Sequence, residues 1–193
     1  MPFFVERRMR DAITQAAISY GQLAKYRYDF VCGRKGNRIT VSLVFPLSAF
    51  FHLAGFQYVK LDRVRNKNAA YGQSLLGEIT DHQLRQKNFT HFDRLECIAS
   101  LQRMIETNRF TFQIVTKNRP YTRIPADYFI CEDDKYLFVK GDKPQSLFKN
   151  TSDTDYFFGT ARYTILEIRR THLADHKFDT IYVHATEGKE KSS

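Results

Sequence analysis

The apolar period switches three times along this chain, from helical to alternating, back to helical and again to alternating, and that order narrows the possible folds more than any single motif. Val5, Met9, Ala12, Ile13, Ala16, Tyr20, Leu23 and Ala24 recur at the spacing of one helical face, which predicts an amphipathic helix over residues 5–25. Tyr26, Tyr28, Phe30 and Cys32 then alternate, as do Ile39, Val41, Leu43 and Phe45, with turn chemistry at Gly33-Arg34-Lys35-Gly36-Asn37 between them. This is a hairpin with a basic tip at Arg34 and Lys35. Pro46 and Gly55 bracket a short helix over Leu47 to Ala54. Thr80 and Gln83 match a capping box that starts another helix near Asp81. Phe92, Leu95, Ala99, Met104 and Ile105 mark a longer helix, with Thr90 available to cap its front and Asn108 to close its back.

Strands follow at Phe110 to Ile114, Ile124 to Ile130, Tyr136 to Val139, Tyr163 to Ile168 and Ile181 to Val183. Helices gathered between runs of strands predict an α+β fold: an N-terminal helix, a β-hairpin, a helical segment, then an antiparallel sheet rather than a βαβ array. Gly141 to Asp155 reads as irregular. No repeat and no linker interrupts the chain, so one domain over residues 1–186 with a frayed tail at 187–193 is expected.

Composition limits what such a fold can do. In 193 residues, 17 Phe and 11 Tyr supply a core large enough to need no staple. Cys32, Cys97 and Cys131 are odd in number and far apart, which describes neither a disulfide framework nor a zinc ribbon, and a reducing, cytoplasmic setting is expected. Glu6, Arg7 and Arg8 follow directly on Met1 to Val5, so a cleaved leader is not expected. The most apolar window, Val41 to Phe56, is interrupted by Pro46 and His52 and is too short to cross a bilayer. The charge is uneven. Residues 1–125 carry a net +11 and residues 126–193 a net −2, a field that draws in a polyanion, with RNA the expected partner.

Chemistry concentrates at Phe50-Phe51-His52-Leu53-Ala54-Gly55-Phe56, where one histidine stands among large apolar residues. Ser48 and His52 are four apart and share a helical face. Two arrangements are open: a core histidine bonded to a backbone carbonyl, or an accessible group whose pKa is tuned by burial and by the helix end. Metal-free RNA cleavage requires a base for the 2′-hydroxyl, an acid for the leaving 5′-oxygen and cations for the charge on phosphorus. His52 fits proton transfer, Lys60, Arg63, Arg65 and Arg123 can clamp phosphate, and Thr160, Tyr128 and Tyr163 can donate hydrogen bonds or, for the aromatics, stack on bases. No second histidine shares the context of His52, and Glu167 is the strand glutamate left to complete an acid/base pair. His172 and His176 have metal-like spacing around Asp175, but no third ligand accompanies them and a solvated turn is the better reading.

These residues resemble a known family. The strand, the F-F-H-L-A-G-F run, Lys60, the Ala126-Asp127-Tyr128 strand start and the Tyr163-bearing strand, within residues 20 to 170, look like the phage-associated nuclease-like families of the barnase/EndoU/colicin/RelE fold, specifically the fourth. The resemblance implies helices packed on a curved antiparallel sheet and a ribonuclease-like site needing neither metal nor cofactor. In that reading His52, Lys60, Arg123 and Thr160 are catalytic, and Arg34, Lys35, Arg63, Arg65, Tyr128 and Tyr163 bind RNA, in a phage or bacterial conflict toxin. The alternatives are a non-catalytic nucleic-acid-binding protein and an anti-defence protein that binds a protein partner.

Overall fold

The computed structural model describes residues 11–61, 64, 66–117 and 123–185. Helix α1 (Ala12–Leu23) buries Ile13, Ala16, Ala17, Tyr20 and Leu23, the stripe its period demands. Its N-terminus is capped from afar. Asp81 accepts hydrogen bonds from the N–H groups of Ala12 and Ile13 at 2.8 and 3.1 Å, satisfying two donors that a helix start leaves orphaned. Strands β1 (Tyr26–Arg34) and β2 (Asn37–Val44) form the hairpin, and Lys35 and Gly36 both take positive φ at its tip, the twist-compatible geometry of a two-residue turn.

The short helix divides into a 3₁₀ turn at Leu47–Ala49 and α2 (Phe50–Leu53), followed by a second 3₁₀ turn at Phe56–Tyr58. Helix α3 (Lys67–Leu75), capped by the Asn66 side chain on the Ala69 N–H, has too weak an apolar stripe to stand out in the sequence. Helix α4 (Asp81–Gln86) carries the Thr80/Gln83 capping box. Helix α5 (Phe92–Glu106) is not capped by Thr90: its N-cap is His91, which makes no side-chain capping bond. Asn108 closes its far end at φ 50°.

Strands β3 (Thr111–Val115), β4 (Tyr128–Glu132), β5 (Lys135–Lys140), β6 (Lys143–Lys149), β7 (Thr160–His172) and β8 (Phe178–Val183) complete a wholly antiparallel sheet in the order β2-β1-β7-β3-β4-β5-β6. Residues 141–155, expected to be irregular, contain β6 instead: pairing with β5 and burial of Leu147 override a polar composition of weak strand propensity. The sheet curls into a half-barrel. The Val44 N–H donates to the Asp142 carbonyl at 2.8 Å, and the Tyr128 hydroxyl donates to the Ser42 carbonyl at 2.9 Å, so both ends of the strand order meet. Its concave face holds Phe30, Phe112, Ile130 and Leu137 against α1 and α5. A second aromatic cluster of Phe129, Tyr136 and Phe138 lies with Phe148 and Tyr156 on the other face. No helix among the described residues is long and apolar enough to cross a membrane.

On β7, strand β1 occupies one edge, and β3 and β8 share the other. β3 pairs with Thr160 to Tyr163, and β8 with Glu167 to Thr171, with the His184 N–H donating to the Leu166 carbonyl at 2.8 Å, which leaves a gap in the ladder at residues 164 and 165.

Candidate functional site

Helix α2 is pinned before it begins, because the Tyr20 hydroxyl donates to the Pro46 carbonyl at 2.9 Å. Phe50, Leu53 and Ala54 are fully buried, Phe50 packing edge-on against Phe56 and Tyr71 and tilted against Tyr20. One turn cannot bury all its sides, so Ser48 and His52, four residues apart, are left exposed together. The open question about His52 is thereby answered: it is not a core histidine. Partial burial, and then the Lys67 ammonium at the start of α3, hold the His52 imidazole below the ordinary histidine range. The folded state therefore favours the neutral ring. As pH falls below 6.5 the unfolded chain protonates first, so His52 subtracts from stability on the acid side and not at neutral pH. Its proton resonances are expected to titrate with a midpoint below 6.5, and Lys67→Gln should move that midpoint up; an unmoved midpoint would remove Lys67 from the site.

Gly55 ends α2 at φ 82°, a left-handed conformation that glycine adopts without strain. Space requires glycine there as well. A Cβ at that position would stand 3.0 Å from Arg94 Cδ and 3.3 Å from His91 Cβ. The glycine of the F-F-H-L-A-G-F run thus lets the N-terminus of α5 lie against the turn beyond His52. Tyr58, exposed by 60 %, packs tilted against His91 with ring centroids 4.6 Å apart, and the Arg94 guanidinium lies 5.4 Å from the Tyr58 centroid and 5.9 Å from that of Phe148. Arg94 is only 9 % exposed, yet among the described residues it makes no hydrogen bond or ion pair. A nearly buried cation with no counter-ion, next to a helix start lacking a side-chain cap, favours an anion.

The expectation that no second histidine shares the context of His52 is corrected here, since His91 borders the same Gly55 turn. The signal was present. Arg94, Ile98, Leu101 and Ile105 follow i, i+4, i+7, i+11, which places a charge in the apolar stripe of α5. Glu167 does not complete the pair: it accepts two 2.7 Å bonds from Arg169, stands 3.8 Å from Arg38, and is held below the usual carboxylate range chiefly by Arg169.

The other expected residues scatter. Lys60 is exposed two residues beyond Tyr58. Arg63 and Arg65 lie outside the described residues. Arg123 is exposed, and among the described residues no contact joins it to His52. Thr160 closes a loop at the start of β7, its Oγ1 2.7 Å from the Phe157 carbonyl and 3.1 Å from Gln113 Oε1. Tyr128, expected to stack on a base, is corrected: its ring is buried against Phe112 at 5.1 Å and its hydroxyl is spent on Ser42. Arg34 and Tyr163 do come together, with the guanidinium 5.9 Å from the ring centroid, and Lys35 is exposed beside them on the hairpin tip. His172 ends β7 and His176 follows the turn after it, so the two are not on a helix face, and His172 meets Asp175 of that turn at 2.9 Å. The three cysteines are buried and unpaired, and burial pushes the Cys32 and Cys97 thiols up to about 12, which removes them as nucleophiles.

The fold is thus a curled antiparallel sheet backed by helices, with an exposed histidine on the short helix that ends at Gly55 and the nearly buried Arg94 packed against that glycine. The family model of phage-Barnase-EndoU-ColicinE5/D-RelE like nuclease 4 matches residues 12–191, and the chain belongs to this family. No curated protein and no solved structure matches it.

Proposed function

We propose that this domain cleaves RNA without a metal, at a site on the Gly55 turn between α2 and the start of α5. The carrying observation is the convergence of His91 and the unpaired Arg94 on the turn that follows the exposed His52. Neutral His52 takes the proton of the 2′-hydroxyl as that oxygen attacks phosphorus. The P–O5′ bond breaks, and His91 supplies the proton that the leaving oxygen needs. A 2′,3′-cyclic phosphate and a 5′-hydroxyl result, with no change in oxidation state. Arg94 and the uncapped N–H groups of α5 stabilise the added charge on phosphorus, Lys60 and Lys67 hold the flanking phosphates, and Tyr58 offers a stacking face.

The purified protein, incubated in EDTA with end-labelled single-stranded RNA, should yield cyclic-phosphate termini. The same strand carrying 2′-deoxyribose throughout should stay intact, because its nucleophile is gone. Cleavage of both strands, or loss of activity in chelator restored by a divalent ion, overturns the mechanism. Binding without cleavage replaces the nuclease with a nucleic-acid-binding module.

A further inference from the structure

At the gap in the β7 ladder, between the start of β3 and the end of β8, lies a groove of about 220 Å³ whose lining includes Phe110, Arg162, Tyr163, Tyr182 and His184. Its three aromatic side chains are partly exposed and held in place: Phe110 packs edge-on against Phe30 at 5.8 Å, Tyr163 pairs with Phe112 across the ladder, and the Tyr182 hydroxyl is 3.2 Å from His184 Nδ1. A glycine brings the hairpin tip to this groove. Gly33 pairs with Thr164 in the gap, and a Cβ on it would stand 2.9 Å from Leu166 Cδ1, so the missing side chain allows β1 to approach β7 closely there. The next residue, Arg34, thereby reaches Tyr163, with its guanidinium 5.9 Å from the ring centroid.

The charge here has one sign. None of the residues lining the groove is acidic. Arg34 and Arg162 are exposed and neither forms an ion pair among the described residues; Arg109, next to the lining residue Phe110, is exposed and forms none either. Unpaired guanidinium groups beside aromatic faces suit a single strand, whose phosphates meet the cations while its bases stack on the rings, faces that a duplex keeps covered. Phe110 follows the C-terminal end of α5 and His91 precedes its first residue, so the 15 residues of that helix separate the groove from the site on the Gly55 turn by about 22 Å at 1.5 Å per residue.

We propose that this groove is a second, remote binding surface for the RNA, and that the preferred substrate is a single strand long enough to occupy it and the Gly55 turn together. At 3.4 Å per stacked nucleotide the span takes about seven nucleotides. A strand that engages both surfaces gains affinity without a new contact at either, because the second engagement is intramolecular. The proposal rests on the nucleic-acid substrate of the preceding reading but not on cleavage.

The experiment measures fluorescence anisotropy of labelled 2′-O-methyl oligouridylates, about four and about twelve nucleotides long, which cannot be cleaved. The long strand should bind the parent protein at least about tenfold tighter than the short one, since it alone spans both surfaces. Arg34→Gln combined with Arg162→Gln should weaken the long strand about tenfold and lower its salt slope by about 1.4, the signature of two lost phosphate contacts on a single strand. Lys25→Gln combined with Lys143→Gln removes the same charge from exposed positions away from the hairpin tip and should change that affinity by less than about twofold. Equal losses in the two double variants, no binding of the long strand by the parent protein, or a duplex of the same length bound as tightly as the free strand overturns the groove. If cleavable RNA is cut while the arginine pair leaves the long-strand affinity unchanged, the groove fails and the nuclease stands. If the arginine pair lowers that affinity and no RNA is cut, the groove stands and the nuclease fails.

Discussion

His52→Ala is expected to lower kcat for RNA cleavage by about 10²- to 10⁴-fold, the usual contribution of a positioned general base, with KM changed by less than about threefold. The split matters because His52 is an exposed side chain on a turn whose anchors are its neighbours Phe50 and Leu53. Removing it leaves the packing of α2 in place, and the melting temperature should stay within about 2 °C of the parent, as for surface substitutions generally. The acid limb of the pH profile should fall below 6.5, because activity needs the neutral ring and both burial and Lys67 favour that form. Lys67→Gln should shift that limb to higher pH. Arg94→Gln separates the roles further, since a group that stabilises charge only in the transition state lowers kcat and kcat/KM together without moving the limb. Unchanged turnover in His52→Ala, or a loss carried wholly by KM, would move the chemistry elsewhere.

Much of this arrangement is legible in the chain, and the reason differs from element to element. Strong alternation gives β1 and β2, and the capping box places the start of α4, because those signals are local and their partners lie within a few residues. Helix α3 and strand β6 leave weaker marks: the first carries little apolar periodicity, and the second is polar and owes its state to pairing with β5. The F-F-H-L-A-G-F run marks the His52 half of the site, since a lone imidazole among phenylalanines violates the local pattern. The other half is hidden by distance. Nothing near Gly55 in sequence says that Arg94 and His91, more than thirty positions on, will fill the space its missing Cβ leaves. A charge in the apolar stripe of α5 was the only local mark of it. Tyr128 illustrates the converse, an aromatic that alternation alone cannot assign to the core or to a ligand until the register with Phe112 and the reach to Ser42 are known.

Phe50→Ala should have the largest effect on stability among substitutions in the motif, about 3–5 kcal/mol, the range for emptying a buried phenylalanine site. Its ring is fully buried and meets Tyr20 of α1, Tyr71 of α3 and Phe56 of the following turn, with centroids 5.4, 5.7 and 6.1 Å away, so three segments lose a shared partner at once. For a chain of this length the melting temperature should drop by roughly 10 °C, at 2–4 °C per kcal/mol. Phe50→Leu retains most of the volume and should cost less than about 1.5 kcal/mol. These two substitutions, two positions apart, then separate the roles within the motif: Phe50→Ala loses stability first and activity through it, whereas His52→Ala loses activity at constant stability. A Phe50→Ala protein that melts within 2 °C of the parent would mean that α2 is not anchored by this ring, and the exposure of His52 would then need another cause than the burial of the residues on either side of it.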